Sequence, residues 1–267
     1  MAMIKPLALW LPLLSALCLP ARAHTPYLLP TSFEASPQAV ISVDASFADK
    51  FFIPEVAFGP TRFTVTAPDG SVTPMADVRQ FKTRTVAEHK LPADKGSYRL
   101  STGPRLGAVF RSWERGGKVE TVRDPDTPMP ADARLLQHYQ SLSVSETYIT
   151  VGKPSPGALA PSGKGLEIVP VTHPGDLFAG EKFDFTVQYD GKPLAAQKVE
   201  ILRSAMDLAS QHSVDALTTD GQGRISYTLP RPGIYLALVR HRADAPEGAA
   251  APQYGHNYTL TFRVLAQ

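Results

Sequence analysis

Most of the chain alternates apolar with polar residues at a spacing of two, the period of a half-buried β-strand. Ala39, Ile41, Val43 and Ala45 keep that period, and Phe63, Val65 and Ala67 repeat it before the turn Pro68-Asp69-Gly70. Tyr98 and Leu100 open another strand, and Ala108-Val109-Phe110 begins a short one directed towards Trp113. Further on, Phe183, Phe185, Val187 and Tyr189 point one way while Asp184, Thr186 and Gln188 point the other, so one face is buried and one is wet. Asp190-Gly191 and Asp220-Gly221 mark turns, and Tyr258, Leu260, Phe262 and Val264 give a last strand. One stretch breaks the period. In Met129 to Tyr139, the residues Ala131, Leu135, Leu136 and Tyr139 fit one helical face after Pro130, which predicts a short helix. The expectation is an all-β chain of two β-sandwich modules, immunoglobulin-like or transthyretin-like, with that one helix in or after the first. Residues 24–151 form the N-terminal module and 166–267 the C-terminal one. Between them, 152–165 hold three prolines and four glycines and read as a linker.

The first 23 residues belong to no module. Lys5, the apolar run Leu7 to Leu19 and the small-x-small site Ala21-Arg22-Ala23 read as a secretory signal peptide. The run is too short to cross a bilayer, so the expected mature chain is exported and has no integral membrane segment. Cys18, the single cysteine, would leave with the leader. That excludes disulfides, zinc–thiolate sites and cysteine nucleophiles, leaving His and carboxylates as the strong metal ligands. The chain carries 27 Lys+Arg against 25 Asp+Glu, a formal charge of +2. Loss of Lys5 and Arg22 would balance the two signs, which argues against a nucleic-acid partner.

Cleavage after Ala23 would make His24 the first residue and give it a free α-amine. Amine and imidazole Nδ1 then close a chelate ring on a borderline metal, a histidine-brace arrangement that favours copper or nickel over magnesium or calcium. The competing reading is a terminal residue fraying in solvent. His89, His256 and His173 are the preferred further metal ligands. His138 and His212 read as surface residues, and His241, between Arg240 and Arg242, has neighbours that disfavour a bound cation. No Gly-x-Ser-x-Gly elbow and no phosphate loop occurs, so the sequence reads as a non-enzyme.

Ala23-His24-Thr25-Pro26-Tyr27-Leu28-Leu29-Pro30 resembles the mature start of the periplasmic family DUF4198, with Tyr27 where the family more often has Trp. Phe51-Phe52-Ile53-Pro54, Gly165-Leu166-Glu167-Ile168-Val169-Pro170, Asp190-Gly191-Lys192-Pro193-Leu194 and Tyr254-Gly255-His256-Asn257 extend the likeness in order along the chain. The resemblance implies a periplasmic β-sandwich protein that binds nickel, cobalt or copper, as the ion or a small chelate, and assists its uptake beside an envelope transporter or outer-membrane receptor. A metal-independent envelope adaptor or ligand-binding module associated with such a receptor is the alternative. A secreted copper enzyme sharing the brace is a third reading.

Overall fold

A computed structural model of the chain describes residues 24–124, 126–204 and 214–267. The expected signal peptide and His212 lie outside the described residues. The first half holds β1 (Thr25–Pro30), β2 (Glu34–Ala35), β3 (Val40–Ala48), β4 (Val56–Ala57), β5 (Thr64–Thr66), β6 (Val72–Pro74), β7 (Asp77–Gln80), β8 (Thr85–Lys90), β9 (Gly96–Ser101), β10 (Arg105–Arg115), β11 (Lys118–Val122) and β12 (Arg134–Val151). The second holds β13 (Leu166–Pro170), β14 (Lys182–Tyr189), β15 (Lys192–Pro193), β16 (Lys198–Arg203), β17 (Val214–Thr218), β18 (Arg224–Thr228), β19 (Gly233–Asp244) and β20 (Gln253–Val264). Among the described residues no helix is long and apolar enough to cross a membrane.

The strands form three sheets. A five-stranded sheet runs β1-β3-β8-β7 with β4 on β3; a four-stranded one runs β13-β14-β15 with β18 on β14. The third has eleven strands and runs β17-β16-β19-β20-β12-β9-β5-β6, with β10, β11 and β2 beside that path. Alternation produces the first core: Ile41, Val43 and Ala45 of β3 meet Tyr98 and Leu100 of β9 and Ile149 and Val151 of β12 in one buried cluster. A second cluster joins Phe183, Phe185 and Val187 of β14 to Tyr235, Ala237 and Val239 of β19 and Tyr258, Leu260 and Phe262 of β20. A third joins Tyr27 of β1 and Phe51 to Leu202, Leu236 and Leu238, so the first strand packs on the second half of the chain. Asp190 and Gly191, with φ of 49° and 72°, make the tight turn from β14 to β15 that an Asp-Gly pair signals.

The helix predicted over Met129 to Tyr139 does not form. Arg134–Val151 is one strand of 18 residues, and Leu135 and Leu136, expected on a buried helical face, are exposed. A helix of this length gains little alone, whereas here the backbone bonds β10 on one side and β20 on the other, Tyr139 lying opposite both Phe110 and Gln253. The parallel seam of β12 with β20 makes the eleven-stranded sheet continuous through both halves of the chain. Hydroxyls line it: Thr259 and Ser145 are hydrogen-bonded at 2.7 Å, and Thr147 Oγ1 donates to the Thr261 carbonyl at 2.9 Å. Residues 152–165 lie against β9, where the Ser97 N–H donates to Ser155 Oγ and Arg99 donates to the Ala160 carbonyl.

Candidate functional site

The four candidate histidines occupy separate places. His24 and His89 flank opposite ends of β3, since Thr25 pairs with Ala48 while His89 pairs with Ile41. At about 3.3 Å per residue this separates them by roughly 25 Å, too far for one ion. His89 has its Nδ1 buried with no hydrogen-bond partner among the described residues, and burial holds its imidazole below the ordinary value. His173 is tied into the fold. Its Nδ1 accepts the Gly175 N–H at 2.9 Å, which leaves the proton on Nε2, within 2.9 Å of Ser97 Oγ and 3.2 Å of the Ser155 carbonyl. Both ring nitrogens are therefore engaged, and His173 is no base for Ser97.

His256 lies on β20 directly opposite His241 of β19, with Leu142 of β12 on its other side. It is 6% exposed, and burial, reinforced by the neighbouring His241 and Arg242, pushes its imidazole down to about 4. Tyr189 packs against the rings of both histidines. Burial lowers the His241 imidazole as well.

His24 is exposed, and its Nε2 lies 2.8 Å from Glu55 Oε2. Glu55 also accepts the Asp49 N–H at 3.0 Å, and one ligand atom from each of His24, Asp49 and Glu55 falls within 4.8 Å of the others. One imidazole and two exposed carboxylates make a mixed nitrogen–oxygen donor set that does not by itself select one divalent ion. A carboxylate holding Nε2 also turns the lone pair to Nδ1, the atom a terminal chelate needs.

His24 stands at the edge of a larger feature, a cleft of about 440 Å³ between the N-terminal sheet and the four strands β10, β12, β20 and β19. Pro26, Phe47 and Val56 wall it on one side. Its floor follows from strand register. Arg105 pairs with Ser143, Ser143 with Asn257, and Asn257 with Arg240, so one row across four strands carries arginines at its ends and small polar residues in the middle. Two residues along, on the same face, Ser141 pairs with Gly255 and Gly255 with Arg242. Alternation turns His241 and His256, which also border the cleft, to the opposite face.

The guanidiniums rest on rings. Arg105 lies 5.2 Å from the centre of Phe47 and 5.7 Å from that of Phe58; Arg123 lies 5.2 Å from Phe110. Phe110 stacks on Tyr139 at 5.1 Å, and Arg242 covers Tyr139. Missing side chains make room for them. A Cβ on Gly255 would fall 1.7 Å from an Arg242 nitrogen and 2.7 Å from the Tyr139 ring, and one on Gly59 would fall 3.1 Å from Arg105 Nε. Arg240 pairs with Glu200 at 3.5 Å, a carboxylate that Lys198 shares at 3.2 Å. Among the described residues no carboxylate pairs with Arg105, Arg123 or Arg242, and none lines the cleft. Burial without such a partner holds Arg105 below its ordinary value.

A search for metal ligands passes over these arginines. The local signal is Arg240-His241-Arg242, whose strand period sets both arginines on one face. Arg105 and Arg123 join them only through pairing.

The model of the domain of unknown function DUF4198 matches residues 21–243, most of the chain. The chain belongs to this family. The DUF4198 match ends at the last residues of β19, so β20 and its part of the cleft floor lie beyond it. No curated protein matches this DUF4198 chain. Among solved structures it is similar to the adhesin InvE of Yersinia pseudotuberculosis, at 17% identity over 89% of this chain and 58% of the adhesin, with a TM-score of 0.23. It is similar also to the Escherichia coli adhesin FdeC, at 12% identity over 92% of this chain and 64% of that one, with a TM-score of 0.26. The chain thus spans less than two thirds of either adhesin, and superpositions this loose carry no function to the DUF4198 protein.

Proposed function

We propose that this DUF4198 protein is an exported, non-catalytic binding protein of the bacterial periplasm, built of two sandwich-like modules, that holds a small ligand in the cleft floored by β10, β12, β20 and β19. The cleft carries the reading. Its volume falls in the range of small-molecule sites, and its polar groups sit on strands whose register fixes them. Ligand-observed NMR against a mixed library of neutral, cationic and anionic fragments tests it. Hits should be lost in Ser141→Trp and in Gly107→Leu, two substitutions that fill the floor, provided each variant melts as the parent does. Binding that persists in both folded variants, or no hits on the parent, overturns it.

A second reading rests on the approach of His24, Asp49 and Glu55, and makes a transition metal the cargo. With residues 1–23 removed, the α-amine and Nδ1 of His24 would supply two nitrogens, Glu55 orienting the ring. Nickel and copper titrations of correctly processed protein should then give near-stoichiometric binding that one extra N-terminal residue weakens about tenfold or more. Equal affinity of the two forms rules this site out.

A further inference from the structure

We infer that the ligand of this cleft is a small organic polyanion, with two or more carboxylate or phosphate groups set several ångströms apart on one frame, an inference that rests on the cleft being the binding site. The arrangement of charge points there. Four arginines line one cleft with no carboxylate among its lining residues, although the chain as a whole carries nearly as many acids as bases. Arg240 is offset by Glu200, which lies outside the cleft, whereas Arg105, Arg123 and Arg242 have no carboxylate partner among the described residues, so their like charges repel one another and an anion relieves that repulsion as it binds.

The cations are also held for use. Arg105 lies over Phe47 and Phe58, Arg123 over Phe110 and Arg242 over Tyr139, and a guanidinium held against a ring still binds oxyanions bidentately through its N–H groups. Gly255 leaves the space that the Arg242 guanidinium and the Tyr139 ring occupy, so a side chain there would have to displace both.

Spacing selects against a single inorganic ion. Arg105 and Arg240 end a row four strands wide, and neighbouring strands lie about 4.8 Å apart, which sets their backbones about 14 Å from each other. A lone phosphate reaches one or two of these arginines. A frame with separate acidic groups reaches the outer arginines together, with the Ser143 and Ser141 hydroxyls as donors between them; the Asn257 amide is already spent on Ser141 Oγ and the Gly255 carbonyl.

Calorimetric titration of the full mature protein tests this with four probes: benzene-1,3,5-tricarboxylate and fructose 1,6-bisphosphate as the carboxylate and phosphate arms, and acetate and inorganic phosphate as single-group controls. At least one polyanion should bind, about 100-fold or more tighter than its control, and more weakly as salt rises. Arg105→Gln and Arg242→Gln should each weaken it about 10- to 100-fold, while Arg105→Lys restores part of the loss. Gly255→Ala should match Arg242→Gln, since it displaces the guanidinium while leaving net charge unchanged. The arm that binds identifies the acidic group. Binding of neither polyanion, or affinities that these variants leave within twofold, overturns the inference. If the NMR hits that depend on Ser141 and Gly107 are all neutral or cationic, the polyanion is excluded and the cleft remains the site; if no hit depends on them, both readings fall.

Discussion

A buried histidine held far below its ordinary pKa makes stability depend on pH, and the sign follows from which state takes the proton first. His256 protonates near 6.5 in the unfolded chain and at about 4 in the folded one. Its contribution is therefore complete above pH 6.5, drains as pH falls from 6.5 towards 4, and declines no further below that. His241 opposite is lowered by burial and adds to the same slope. The groups around the ring are Tyr189, Tyr254, His241, Asp190 and Arg242, of which Asp190 favours its charged form while His241 and Arg242 oppose it. Allowing for solvent screening, the loss is roughly 1–3 kcal/mol, which in a chain of this size lowers Tm by several degrees. Thermal melts of His256→Gln across pH 4 to 7 should lack most of that slope; a variant curve parallel to the parent's refutes the assignment. At this scale the sequence revealed which residues were chemically capable and little of their company. On paper His89 is the preferred second ligand and His173 a further one. Only the fold shows one with both nitrogens engaged and the other about 25 Å from His24. The triplet Arg240-His241-Arg242 was legible only as an obstacle to a bound cation.

Among elements, the strands with strict alternation were legible, because in Phe183, Phe185 and Val187 a single face does all the burying. The start of β12 was not. Its exposed Leu135 and Leu136 gain little from burial in either conformation, so local pattern gives way to the hydrogen bonds that β10 and β20 supply. The parallel seam left no trace in the pattern either, since alternation reports which face is buried and nothing about which neighbour pairs. Its weight is nonetheless testable. β20 lies between β19 and β12, so removing residues 253–267 would strip two neighbouring strands of their partners and open the hydroxyl-lined seam and the second core together. Such a truncation should show no cooperative melt, with both halves cut rapidly by protease. Survival of a protected 24–151 fragment would show that the first half stands without the seam.

Over the whole molecule, near-neutrality conceals segregation. The 27 basic and 25 acidic residues almost cancel, and a reading based on their sum argues against a polyanionic partner such as nucleic acid. The cleft shows why that inference has a limit: net charge sums the whole surface, and salt screens charges more than a Debye length apart, whereas binding responds to the few charges inside a concave site. Position in the chain matters in a further way. The strand at the middle of the longest sheet is the last one described, while several edge strands come early. A chain that emerges N-terminus first therefore exposes the pairing edges of β12 and β19 until residues 253–264 arrive to join them. The largest sheet closes late in assembly, and its open edges are the ones a holding chaperone would have to cover in the interval.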